Sequence, residues 1–163
     1  MKRQLFIIRH GKSSWDNEGL DDIDRPLSDR GIRSAEMMAG RLREMGLIPR
    51  LIFTSPASRA LNTALIMKRI WGLDPSMFQV QDDLYLAGTE EIARVVERAP
   101  GEIGSLAIFG HNPSFTMYAN RFLKVPIDNL PTAGVVVVTL ESESWKGVGR
   151  KQVTATHVDF PRR

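Results

Sequence analysis

Four short apolar runs with little polar alternation punctuate the chain: Leu5-Phe6-Ile7-Ile8, Leu51-Ile52-Phe53-Thr54, Leu106-Ala107-Ile108-Phe109, and Val135 through Leu140. Runs of this length fit strands buried on both faces of a sheet. Phe78 to Gln81 reads as a further strand. Lys151 to Val158 reads as a last one, pairing with the Val135 run after a turn near Gly147.

Between these runs the pattern changes to that of helices. Ser28 is a suitable N-cap for a helix to about Met45, with Ala35, Met38, Leu42 and Met45 on one face and Gly46 to end it. Ser55 caps a second helix to about Trp71, with Pro56 at the first position, where a missing N–H is harmless. A third runs from about Thr89 to Arg98 with Ile92, Val95 and Val96 inward. Asn112 and Pro113 repeat the cap-then-proline start and open a fourth, to about Phe122. Residues 11–27 are polar and read as a loop. Strands alternating with helices predict an α/β fold, a three-layer α/β/α sandwich around a mostly parallel sheet.

Composition narrows the function classes. The 163 residues suit a single domain, residues 1–163, with a substantial core. No run of eighteen apolar residues exists, so no membrane span is expected. The N-terminus lacks a signal-peptide pattern. Without cysteine there is no disulfide, thiolate nucleophile or thiolate metal ligand, which fits a cytoplasmic protein. The net charge of +3 is spread along the chain, so no basic face for nucleic acid is expected.

The chemistry is concentrated at strand ends, where open α/β sheets bind their ligands. Arg9-His10-Gly11 follows the first strand, Ser55-Pro56-Ala57-Ser58-Arg59-Ala60 the second, and Gly110-His111-Asn112-Pro113 the fourth. The topology can bring His10, Arg59 and His111 to one sheet edge, where helix N-termini also favour anions. Two guanidinium groups and two imidazoles there would hold a phosphoryl group, with one imidazole free to attack it. Arg59 sits in the first turn of its helix, where a cation is unfavourable by ~0.3–1 kcal/mol. A bound anion, or a carboxylate reached sideways, would relieve that conflict. His157, in the last strand, is read as structural.

These motifs resemble the histidine phosphatase superfamily, the phosphoglycerate mutase-like family. Arg9-His10-Gly11 is similar to its signature, Ser55-Pro56 with Arg59-Ala60 and Thr63-Ala64 to its second arginine motif, and Gly110-His111-Asn112-Pro113 to its second histidine motif. The short length, His10 through Asp16, Arg25-Pro26-Leu27-Ser28 and Arg30-Gly31 are similar to the small SixA-type phosphohistidine phosphatases. The resemblance implies a phosphoglycerate mutase-like fold. It also implies that His10 is the nucleophile, and that Arg9, Arg59 and His111 hold the phosphoryl oxygens.

Phosphoryl transfer is mainly positioning and charge stabilisation, and guanidinium forks suit it. Ser13, or backbone N–H groups after His10, could add donors, the alternative being plain loop residues with no such role. The arginines supply the positive charge, so neither metal nor cofactor is expected. Many relatives place an acid after the third strand to protonate an alkoxide. Here Asp83 could serve as the general acid, but a surface-turn carboxylate is the preferred reading of it, and Glu90 and Glu91 dress the start of the next helix. Weak provision for an acid favours an N-phosphoryl substrate such as phosphohistidine, because imidazole is the better leaving group, or an undemanding ester. The leading expectation is a phosphatase for phosphohistidine in a partner protein such as a histidine phosphotransfer domain. The alternatives are a phosphatase for a small phosphorylated metabolite, a mutase, and a non-catalytic phosphoprotein sensor.

Overall fold

The computed structural model describes residues 1–162. Six strands form one mixed sheet: β1 (Lys2–Arg9), β2 (Leu51–Thr54), β3 (Phe78–Val80), β4 (Ser105–Gly110), β5 (Val135–Glu141) and β6 (Val153–Asp159). Their spatial order is β3-β2-β4-β1-β5-β6. The first four run parallel, while β5 is antiparallel to both β1 and β6. Four helices cover the sheet: α1 (Asp29–Glu44), α2 (Ser58–Trp71), α3 (Thr89–Val96) and α4 (Ser114–Asn120).

The strand period of two divides the core. Phe6 and Ile8 of β1 face α1 and α2, packing with Ala35, Met38, Leu42, Ala64 and Met67. Leu5 and Ile7 face the other side, with Ile92, Val95 and Val96 of α3 and Phe115 and Tyr118 of α4. This gives the three layers expected from the alternation of elements.

Several boundaries differ from the sequence-based expectation. β1 begins three residues earlier because Arg3, although charged, is buried. Its guanidinium donates to the carbonyls of Ile103, Ser142 and Glu143, which makes the polar position tolerable. α2 begins at Ser58, so Ser55 is not its N-cap; the residue before the helix is Ala57. Likewise α4 opens at Ser114, and Asn112 instead accepts from the N–H and hydroxyl of Thr116 through its side-chain oxygen. α3 stops at Val96, where the chain tightens into i→i+3 bonds before Pro100. Met45 does not belong to the core face: it ends α1 and is 49% exposed. A short 3-10 turn at Arg150–Gln152 precedes β6, leaving Lys151 outside the strand. Ser28 does cap α1, accepting the Gly31 N–H.

Candidate active site

Strand register aligns the motifs. Arg9 pairs with Gly110 at the ends of β1 and β4, and Thr54 of β2 pairs with Phe109. The ladder continues one step further: the His10 N–H donates to Gly110 O at 3.1 Å, and the Ser55 N–H donates to Phe109 O at 3.0 Å. His10, Ser55 and His111 thus leave the sheet side by side. The two imidazole rings lie 5.1 Å apart between centroids, tilted by 52°.

The loop after β1 is tied down from both sides. The Gly11 N–H donates to Thr63 Oγ1 at 2.9 Å, and the Thr63 hydroxyl donates to Arg59 O at 2.7 Å. Gly11 also packs on α1 at Gly31, where an added side chain would meet the Gly31 carbonyl at 2.9 Å. A cleft of about 320 Å³ opens there. Arg9, His10, Ser13, Arg59 and His111 all line it, so the structure brings these five expected residues together. Lys12, Trp15, Arg25, Asn112 and Thr132 complete the wall. Volume alone does not select this place. A cavity of about 680 Å³ lies along β6 beside Arg41, His157 and Asp159 but gathers no comparable set of groups.

The electrostatics follow from burial and charge. His10 Nδ1 lies 2.6 Å from Gly11 O, which can only accept, so Nδ1 carries the proton and the lone pair is on Nε2. Burial pushes the His10 pKa down to about 4, helped by Arg59, Arg9 and Arg25, while the Gly11 hydrogen bond opposes the change. His111 is lowered to about 3 by burial first, then by His10 and Arg59. Both rings are therefore neutral at pH 7. His111 Nε2 lies 2.8 Å from the Ser55 hydroxyl, which also accepts the Ala57 N–H. His111 Nδ1, Arg9 Nε and Arg59 Nε are buried with no protein partner.

The loop reading of residues 11–27 overlooked an important group. Arg59 is held by Asp22: Nη1 donates to its backbone carbonyl at 2.7 Å and Nη2 to Oδ2 at 3.0 Å. The same carboxylate accepts from the Tyr85 hydroxyl at 2.7 Å and from Arg25 Nε at 3.2 Å. The bond from Tyr85, then those from Arg59 and Arg25, hold the Asp22 pKa down to about 2. Of the two ways to relieve Arg59, the sideways carboxylate is thus present. Arg25 stacks on Trp15, 3.6 Å from the ring centroid, and donates to the Ser13 hydroxyl at 2.8 Å. Tyr85 meets His111 edge-on. Arg25 could have been found from its motif, but no local signal separates Asp22 from the acids around it.

Asp83 is not brought to the cleft. It is paired with Arg98, which also binds Gln81, and is absent from the cleft wall. A 3-10 turn over Asp82–Leu84 fixes that arrangement. Glu90 and Glu91 occupy the first turn of α3 as expected. His157 is partly exposed on β6, 3.9 Å from Asp159. Among the described residues, no three His, Cys, Asp or Glu side chains cluster as metal ligands would. No helix among them is long and apolar enough to cross a membrane.

The sequence profile of the histidine phosphatase superfamily (branch 1) matches residues 5–85. The chain belongs to the histidine phosphatase superfamily. The matched span contains Arg9, His10 and Arg59; His111 lies beyond it and joins them through β4. A candidate phosphohistidine phosphatase SixA from Agrobacterium tumefaciens shares the fold with TM-score 0.74 and 27% identity, over 83% of this chain and 90% of that one. The protein histidine phosphatase SixA complexed with tungstate has TM-score 0.76 at 23% identity, over 95% and 96% of the two chains. A 2,3-bisphosphoglycerate-dependent phosphoglycerate mutase of Bifidobacterium longum is 35% identical over 77 residues. That alignment spans 44% of this chain and only 31% of the mutase. The fold is therefore phosphoglycerate mutase-like, as the resemblance implied.

Proposed function

We propose that this protein is a metal-independent phosphatase that removes phosphate from phosphohistidine in a partner protein, using His10 as nucleophile. The observation that carries this reading is the His10 ring itself. It is neutral, in the Nδ1–H tautomer, with its Nε2 lone pair available in a cleft walled by Arg9, Arg25, Arg59 and Lys12.

In the first step His10 Nε2 forms a bond to phosphorus as the substrate P–N bond breaks. The departing imidazole takes up a proton from water. Water then attacks the phosphorylated His10, releasing inorganic phosphate and restoring the free ring. Arg9 and Arg59, each with a buried, unpartnered Nε–H, stabilise the phosphoryl oxygens, and His111 and Ser13 add hydrogen-bonding groups. The guanidinium charges serve the role a divalent cation plays elsewhere.

Support for an N-phosphoryl substrate comes from the carboxylates. No Asp or Glu lines the cleft among the described residues, Asp83 is engaged by Arg98, and Asp22 is held ionised. Nothing there is poised to protonate an alkoxide, whereas imidazole leaves readily once protonated. Likeness to the tungstate-bound SixA structure supports oxyanion binding in the same fold.

The test is phosphate release, with a chelator present, from a phosphohistidine-bearing phosphotransfer domain and from a panel of phosphate esters. Wild type and His10→Ala are compared, and phosphate is trapped on the enzyme by rapid quench. Release from the phosphohistidine protein that is lost in the variant, with label on His10, is the expected result. Turnover of esters alone would reassign the substrate to a small metabolite. Binding without any phosphoenzyme would make the domain a sensor.

A further inference from the structure

A second cavity, of about 430 Å³, adjoins the cleft. Lys12 and Thr132 line both, so the two spaces share a wall. Its other principal groups are Arg30, Ser34, Phe160 and Arg162.

Close backbone packing gathers these cations. Lys12 O accepts the Ser28 N–H at 2.8 Å and the Ser28 hydroxyl at 3.0 Å. At Gly31 an added Cβ would lie 2.2 Å from that same Lys12 oxygen. Only glycine lets the loop sit this close to the first turn of α1, and the result is Lys12 beside Arg30. Among the described residues, the side chains of Lys12, Arg30 and Arg162 make no ion pair or hydrogen bond. Elsewhere on the surface Arg94, Arg98 and Arg121 each have a carboxylate partner. Among the described residues, no Asp or Glu lines this second cavity. Three exposed cations around one hollow, without counter-charge, favour an anion there.

We propose that this cavity is a subsite for a carboxylate side chain that flanks the phosphohistidine of the partner protein. The proposal rests on the phosphohistidine reading above. The shared wall at Lys12 and Thr132 means that a group bonded near the phosphoryl carrier can enter the second cavity while the phosphoryl group occupies the first. Because the cations are exposed, a projecting Asp or Glu reaches them without deep burial, and the gain is selection and faster encounter.

The test uses two chemically phosphorylated histidine peptides, identical except for Glu or Gln beside the phosphohistidine. Their kcat/KM is measured at low salt with wild type and Arg30→Gln/Arg162→Gln, which leaves Lys12 and the cleft unchanged. Wild type should favour the Glu peptide about five-fold, as expected for exposed charge pairs, with the preference shrinking as salt rises. The double variant should bring the ratio close to one. A wild-type ratio of one, or a ratio that survives in the double variant, overturns the subsite. If phenyl phosphate is hydrolysed but neither peptide is, the phosphohistidine reading fails instead. The subsite is then read from inhibition of phenyl phosphate turnover by the two peptides: stronger inhibition by the Glu peptide supports it, and equal inhibition overturns it.

Discussion

Arg59 grips residue Asp22 twice, through Nη1 to the backbone carbonyl at 2.7 Å and Nη2 to the carboxylate at 3.0 Å. These contacts occupy both terminal nitrogens of the guanidinium whose charge and free Nε–H the proposed mechanism turns toward a phosphoryl group. Asp22 is therefore an internal competitor for the incoming anion. Asp22→Asn keeps an acceptor and removes the charge. Inorganic phosphate should then inhibit about five-fold more strongly, equivalent to the ~1 kcal/mol expected for a half-exposed charge at short range. Weaker inhibition would mean that Asp22 acts mainly by holding Arg59 in place.

The two histidines set a pH dependence. In the folded chain their pKa values fall to about 4 and about 3, against 6.5 ordinarily. Between these limits the unfolded chain binds more protons, so stability rises with pH. This contribution is complete above about pH 6.5 and is lost as the pH falls through 4 and 3. Urea titrations from pH 7 to 3 should show that decline, and His111→Gln should flatten it. Activity should stay level from pH 7 to about 5 and fall with an apparent pKa near 4, as His10 takes up a proton.

Ser55 is buried, with its hydroxyl bridging the His111 ring and the Ala57 N–H. Ser55→Ala leaves both without that partner. Stability should fall by ~1–3 kcal/mol, the usual penalty for unsatisfied buried polar groups. The His111 Nε2 resonance should shift in nitrogen NMR, and kcat should drop more than KM rises. An unmoved resonance would show that Ser55 does not orient the ring.

At Gly31 the nearest atoms to an added Cβ are backbone: Lys12 O at 2.2 Å and Lys12 N at 2.9 Å. Backbone cannot swing aside as a side chain does. Gly31→Ala should destabilise by ~1–3 kcal/mol, as overpacking does, and reduce activity because the loop beyond His10 is displaced. Equilibrium unfolding checks the first effect and steady-state kinetics the second.

Much of this architecture is legible in the sequence. The apolar runs marked the strands, and the chemistry-bearing residues lay one to five positions beyond them. That order is enough to bring Arg9, His10, Arg59 and His111 to a common edge, since the carboxyl ends of parallel strands share one side. Ser-Pro before a helical pattern predicts a cap at Ser55, but its hydroxyl instead answers a histidine from another strand. Asp83 follows β3 where a general acid could stand, but the turn at Asp82–Leu84 commits it to Arg98 as the surface carboxylate that the sequence favoured.

The loop between Gly11 and Ser28 shows where local reading ends. Asp16, Glu18, Asp21, Asp22 and Asp24 crowd one polar stretch, and no periodicity distinguishes them. Asp22 is singled out by partners 37 and 63 residues away, Arg59 and Tyr85. Periodicity and motif order record which residues alternate toward a core and which follow a strand, so the α/β layering and the four principal groups were already in the chain. Charge pairing, the histidine tautomer and the contact between Gly31 and Lys12 depend on distances across the fold. Those distances exist only once the helices have closed over the sheet.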